Sequence, residues 1–167
     1  MRRVMIVGNS GSGKSTLARK LGEQTGFPVI HIDRLYRDND WKLKPLNERR
    51  HLMEQAVSKP EWIIEGNNSS TFDLRIAKAD TLIFLDTPTW LCLVRVLRRV
   101  FQNHGEIQSD MPQGCPERVD WGFMKWIARF SATGRPKILL MMKETQKGIT
   151  VHHLRNRNDV EKFLNAL

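Results

Sequence analysis

The sequence predicts an α/β fold, a three-layer arrangement in which a five-stranded parallel sheet carries helices on both faces. Three observations support it. Short apolar, β-branched runs alternate with segments of helical periodicity along the chain. The runs are apolar throughout, as in strands buried on both faces. The first of them feeds the glycine-rich stretch GNSGSGKST, Gly8 to Thr16.

In chain order, RVMIV (3–7) is the first strand, and residues 14–24 form a helix with Leu17, Ala18 and Leu21 on one face. FPVIHI (27–32) is the second strand, ending at Asp33. A polar, tryptophan-containing connection leads to the helix NERRHLMEQAVS, which stops at Lys59-Pro60. WIIE (62–65) is the third strand, closed by Gly66-Asn67-Asn68, and TLIFL (81–85) is the fourth. Thr87 suits an N-cap and Pro88 a first turn, opening a helix with Leu91, Val94, Leu97 and Phe101 at helical spacing. Residues 103–116, with two Gly and two Pro, read as a loop. A tryptophan-rich helix (ERVDWGFMKWIARF) and a second helical stretch (RPKILLMMKE) follow. GITVHHL is the last strand and NDVEKFLNAL the last helix, with Asn158 and Glu161 spaced as a capping box.

At 167 residues, 40% hydrophobic and 27% charged, residues 1–167 are expected to form one compact domain. The longest apolar run, TLIFLDTPTWLCLV, is interrupted by Asp86 and Pro88 and falls short of the ~20 residues of a membrane span. Met1-Arg2-Arg3 leads straight into the first strand, which leaves no room for a signal peptide. Two cysteines, Cys92 and Cys115, fit a reducing interior, so a cytoplasmic location is expected. The net charge of +9 has two readings. It can serve a cleft that surrounds phosphorylated ligands, or it can bind nucleic acid through its phosphates. The basic residues are scattered in small clusters rather than gathered in one tail, which favours the cleft.

Gly8, Gly13, Lys14 and Ser15 satisfy GxxxxGK[ST], between a buried strand and an amphipathic helix. This is the phosphate-binding loop of P-loop NTPases. Its glycines let the backbone N–H groups of residues 8–16 (Asn9, Ser10, Gly11, Ser12 and Thr16 among them) point at phosphate oxygens. The helix N-terminus adds its positive dipole end. Lys14 reaches the β- and γ-phosphates, and the Ser15 hydroxyl completes Mg²⁺ coordination, so ATP and Mg²⁺ are the expected ligands. An NKxD element for guanine is absent from the sequence, and the chain is short for a motor ATPase. WIIE and TLIFLD each end in an acid, Glu65 or Asp86, that suits a Walker B position. Small kinases add a helical insertion after the second strand for the phosphate acceptor, and an arginine-rich lid that excludes water. Residues 35–58 and 95–130 match those two additions.

GxSGSGKSTLA, HxD, WIIEGN, ADTLIFLDTPTWLCLVRVLRR, GCPERxDxxFxxWI and RPKI together resemble the DNA topology modulation protein (FlaR-like) family, which is related to adenylate kinases. The resemblance covers nearly the whole chain. It implies an adenylate-kinase-like fold and ATP binding; the insertion, the lid and the arginine pair point to transfer of the ATP γ-phosphoryl group to an unidentified small-molecule acceptor, a nucleotide or nucleoside being one candidate. The alternative is an ATP-dependent regulator that binds DNA.

By the same resemblance, Asp33 touches the acceptor hydroxyl or a metal-bound water, its alternative being a helix N-cap. Glu65 orders a Mg²⁺-bound water, and Gly66 and Asn67 border the acceptor. Nucleoside monophosphate kinases usually carry DGxPR here. This chain has Asn67-Asn68-Ser69 in place of the proline and arginine, and Arg75 either substitutes for the lost arginine or covers a helix face. Arg95 and Arg99, four residues apart on one helix face, match the lid arginine pair, and arginine grips phosphate bidentately. Arg118 and Arg135 flank the second lid helix as further candidates. Arg155 and Asn156 stand where adenine rests in this fold, with ordinary capping as the alternative. The CxxC pairs of a zinc lid are absent from the sequence, and Trp121, Phe123, Trp126 and Phe130 read as lid packing.

Overall fold

The computed structural model describes residues 1–38, 42–102, 120–145 and 148–167. Five parallel strands run in the order β2-β3-β1-β4-β5: β1 (Arg3–Gly8), β2 (Val29–His31), β3 (Trp62–Glu65), β4 (Thr81–Leu85) and β5 (Thr150–Leu154). Every residue of β3 and β4 is buried, and Val4 to Val7 of β1 are at zero exposure. Alternate residues of these strands feed two apolar layers. Met5, Val7, Ile64, Leu82 and Phe84 face one layer; Val4, Ile6, Ile63, Ile83 and Leu85 face the other. Each such side chain contributes roughly 1.5–3 kcal/mol of transfer free energy, which is why the strands read as apolar runs.

The helices are α1 (Lys14–Thr25), α2 (Ile32–Tyr36), α3 (Leu46–Val57), α4 (Phe72–Ile76), α5 (Thr89–Gln102), α6 (Trp121–Glu144) and α7 (Arg157–Asn165). α1 buries Leu17, Ala18 and Leu21 as expected, and Gly26 closes it in the left-handed conformation. α1 and α7 cover one face of the sheet, with Phe163 in that core; α3 and α6 cover the other. Among the described residues no helix is long and apolar enough to cross a membrane.

Four local expectations change. The second strand is short, because His31 pairs with Glu65, the last residue of β3, and the ladder has no partner beyond it. The chain turns into α2 there, so Asp33 stands in a helix first turn rather than at a strand end. On α5 the buried stripe is Cys92, Val96 and Val100, while Val94 is exposed and Phe101 is 77% exposed. Apart from the side that carries its arginines, α5 is apolar over a broad arc, so periodicity alone did not select the buried part of it; contact with Ile127 of α6 does. Thr87 does not cap α5: its hydroxyl donates to the Ser12 carbonyl at 3.2 Å. The N-cap of α7 lies two residues earlier than expected, and no capping box forms there. Asn156 is the N-cap, accepting from the Asp159 N–H, and Asp159 accepts from the Arg155 N–H at 2.8 Å.

The two helical stretches after residue 120 form the single helix α6, with Pro136 inside it. Ile127, Phe130 and Ile138 are buried on both sides of the proline, which outweighs the one ladder bond it removes. Gly134 makes room for the Phe130 ring, 2.5 Å from where a Cβ would stand. Of the proposed acceptor insertion, residues 39–41 lie outside the described residues, and of the proposed lid, residues 103–119 do.

Candidate active site

β1 delivers the phosphate loop to the carboxyl edge of the sheet, where α1 begins. Gly11 lies so close to α5 that a Cβ there would sit 2.5 Å from the Cys92 carbonyl oxygen, and its φ is 79°. Only glycine satisfies both conditions. Asn9, 1% exposed, turns its side chain away from the loop interior. Its Nδ2 donates to the Ile127 carbonyl at 3.1 Å, tying the loop to α6, and its Oδ1 accepts from the Ser10 N–H. Lys14 Nζ donates to the Asn9 carbonyl at 2.9 Å. Burial lowers the Lys14 pKa, while Glu65 and Asp33 pull it back up.

Glu65 is buried at the end of β3. Its Oε1 accepts from Ser15 Oγ at 3.1 Å and lies 2.8 Å from His31 Nδ1. A hydroxyl and a carboxylate on neighbouring elements are hard oxygen donors, the set that suits Mg²⁺ held partly through water. Asp33 opens toward the same space with 56% of its side chain exposed, its carboxylate 3.6 Å from Arg37 Nε. Desolvation by the surrounding walls raises the Asp33 pKa, and Arg37 opposes that rise.

Residues 10–16, Asp33 and Glu65 line one cavity of about 700 Å³, together with Arg95 and Arg99. Arg95 Nη1 stands 3.4 Å from the carbonyls of both Gly11 and Ser12. Arg98 does not line the cavity. At its other end Leu17, Leu91, Val160 and Leu164 form apolar walls beside Arg155 and Asn156, although the Asn156 side-chain oxygen is engaged in capping.

The remaining candidates lie elsewhere. Arg135 Nε and Nη2 donate to both oxygens of Asp86 at 2.9–3.1 Å, with His153 Nε2 2.8 Å from Oδ2, so this arginine ties α6 to the ends of β4 and β5. Asp86 is thereby used structurally, and Glu65 is the strand-end acid that meets Ser15. Desolvation raises the Asp86 pKa, but the hydrogen bonds from Arg135 and His153 outweigh it and hold the carboxyl below its usual range. Arg75 is buried and donates to the carbonyls of Gly66, Asn68 and Thr71, and Asn67 bonds Gly8. Arg118 lies outside the described residues. Sequence reasoning missed His31. Its signal was the HxD pattern, because a strand residue opposite Glu65 in a parallel register stands beside that carboxylate.

The parallel strand order β2-β3-β1-β4-β5 around the phosphate loop is matched by known structures. Shikimate kinase from Acinetobacter baumannii in complex with shikimate superposes with a TM-score of 0.57 at 12% identity, covering 99% of this chain and 90% of that one. A sugar kinase from Janibacter sp. HTCC2649 gives 0.53 at 15% identity, covering 99% and 91%. The chain has the α/β P-loop NTPase fold. At these identities the likeness concerns that fold alone. In sequence, the isopentenyl transferase family model matches residues 1–40, the stretch from β1 through the phosphate loop to α2. A shikimate kinase of Persephonella marina (strain DSM 14350 / EX-H1) is 27% identical over 103 residues, 53% of this chain. The match spans 63% of the length of that relative.

Proposed function

We propose that this protein is an ATP-dependent phosphotransferase that moves the γ-phosphoryl group of ATP to a hydroxyl of a small molecule. The observation that carries the reading is the single cavity shared by the phosphate loop, Asp33, Glu65, Arg95 and Arg99. Four separate elements bring a phosphate cradle, an acid–hydroxyl pair, a carboxylate of raised pKa and two guanidinium groups to one space. The sequence likeness to a shikimate kinase supports a hydroxylated acceptor, and the absence of DGxPR from the sequence speaks against a nucleoside monophosphate.

On this reading the triphosphate lies along Gly8–Thr16, and Lys14 leaves the Asn9 carbonyl for the β- and γ-phosphates. The apolar slot beside Arg155 and Asn156 takes the base. Ser15 and, through water, Glu65 would hold Mg²⁺, which would supply neutralisation of the triphosphate charge. The acceptor lies between Asp33, the 35–58 insertion and the Gly66-Asn67 turn. Asp33 takes the proton of the acceptor hydroxyl as its oxygen bonds the γ-phosphorus and the bond to the bridging oxygen breaks, releasing ADP. Arg95 and Arg99 stabilise the charge on the three equatorial oxygens. Phosphoryl transfer needs positioning and electrostatics more than covalent participation.

A second reading, an ATP-dependent regulator acting on DNA, draws on the charge of +9 and on the FlaR-like sequence resemblance. One experiment separates the two: ADP release measured over nucleosides, nucleotides, sugars, hydroxy acids and cofactor precursors, with duplex DNA as a further arm. A kinase releases ADP only with its acceptor, and Lys14→Ala abolishes this while the fold persists. ATP consumption unchanged in that variant would sink the assignment. Stimulation by DNA alone would favour the second reading.

A further inference from the structure

The turn after β3 does more than end a strand. Asn67 holds the first residue of the phosphate loop with both ends of its amide. The Gly8 N–H donates to Oδ1 at 3.0 Å, and Nδ2 donates back to the Gly8 carbonyl. One step earlier the Gly66 N–H donates to the Ile6 carbonyl at 3.1 Å, so the Asn67 side chain replaces the next peptide group of the β1–β3 ladder. Gly8 has little freedom to move away: its φ is 151°, and a Cβ there would stand 2.5 Å from the Leu85 carbonyl oxygen. Asn67 therefore sets the point at which the phosphate loop leaves the sheet.

Asn67 is held from behind in turn. Arg75, at 0% exposure, donates from Nη1 to the Gly66 carbonyl at 2.9 Å and from Nη2 to the Asn68 carbonyl at 2.7 Å, one on either side of Asn67. Its Nε reaches the Thr71 carbonyl, and its guanidinium lies 4.6 Å over the Phe72 ring. All three of these hydrogen bonds go to backbone carbonyls, and burial pushes its pKa down to about 9. A buried cation is a costly tie, but its planar fork fixes two carbonyls at once. The acceptor-side helices grip the same turn. Arg49 Nη1 donates to Ser70 Oγ at 3.2 Å, Arg50 Nη1 to the Ser70 carbonyl at 3.0 Å, and the Tyr36 hydroxyl to Thr71 Oγ1 at 3.0 Å.

We propose that Asn67 and Arg75 are positioning residues: through the 66–71 turn they make nucleotide affinity at the phosphate loop depend on the acceptor-side insertion. Arg75 has no place on the nucleotide, since it is buried and does not line the cavity. Its influence runs through Gly66, Asn68 and Asn67 to Gly8. The inference rests on the nucleotide binding proposed above.

The test is calorimetric titration of ADP with Mg²⁺ into the full chain, well below the Tm of each variant, for wild type, Asn67→Ala, Arg75→Lys and the double variant. Each single substitution is expected to weaken binding about tenfold, the size of one lost or misplaced hydrogen-bond pair. The double variant should lose no more than about threefold beyond the weaker-binding single, because the two act in series. Wild-type affinity in the folded single variants overturns the proposal, as do losses that multiply. If Arg75→Lys does not fold, Ser70→Ala replaces it, with a loss of about threefold that disappears in the Asn67→Ala background; a loss that persists there overturns the proposal. Wild type that fails to bind ADP refutes both this inference and the phosphotransferase reading. Wild type that binds, with variants that bind equally well, refutes this inference alone.

Discussion

Arg135 was a candidate lid arginine, and its contacts predict a different role, which a double-mutant cycle with Asp86 measures. Its guanidinium is bidentate on Asp86, with three N···O distances of 2.9–3.1 Å. The two side chains differ in exposure, 42% for Arg135 against 11% for Asp86. An exposed pair contributes about 0.2–1 kcal/mol, and breaking a fully buried one costs about 3–5 kcal/mol. Half-exposed bidentate geometry places the coupling between them, at about 1–2 kcal/mol once solvent screening of the arginine is discounted. For a chain of this size that corresponds to about 2–8 °C in Tm. The assay is urea denaturation of wild type, Asp86→Ala, Arg135→Ala and the double variant. Because the folded Asp86 pKa lies below its unfolded value of 3.8, the coupling should be complete above that pH. It should fade as pH falls through the folded value. Additivity within about 0.3 kcal/mol would refute the brace. So would an Arg135→Ala variant that keeps full stability and loses turnover, because that arginine would then be acting on the phosphoryl group.

Three further outcomes follow from single residues. Asp33→Asn should lower kcat about 10²–10⁴-fold, the usual loss for a positioned base; loss confined to KM would assign Asp33 to binding. In the wild type the acid limb of kcat/KM should lie above 3.8, because desolvation raises this carboxyl and it must be ionised to accept a proton. Gly11→Ala forces a Cβ to 2.5 Å from the Cys92 carbonyl at a φ of 79°, and should cost about 1–3 kcal/mol by denaturation, with ADP affinity falling as α5 is displaced. Asn156→Ala removes the α7 cap and should cost about 1 kcal/mol, whereas Asn158→Ala should cost little, since Asn156 and not Asn158 caps the helix.

The strands and the phosphate loop were legible because each rests on a local signal. An apolar run such as TLIFL can only be buried on both faces, and GNSGSGKST between a strand and a helix has one known geometry. Glu65 and Asp86 were equally legible as acids that end apolar runs; both strands flank β1, and only the contact with Ser15 Oγ separates the two. What the sequence hid was the partner of each polar side chain. Asn9 was expected to offer its backbone N–H to phosphate, and Asn67 to border the acceptor. The structure turns one toward the Ile127 carbonyl of α6 and gives the other the role of a missing peptide group beside Gly8. Arg75 and Arg135 carried charge in the right neighbourhood, yet one binds carbonyls and the other binds Asp86.

These choices share a physical origin. A phosphate loop must leave many N–H groups unpaired for its ligand, so it draws little rigidity from its own hydrogen bonds. Here rigidity comes from outside it. Asn67 fixes Gly8, Thr87 donates to the Ser12 carbonyl, Arg95 approaches the carbonyls of Gly11 and Ser12, and Asn9 reaches α6. Each brace comes from a different element, so the placement of the loop reports on the 66–71 turn, on α5 and on α6 together. A loop braced this way keeps its shape without a ligand, and α5 and α6 both hold it.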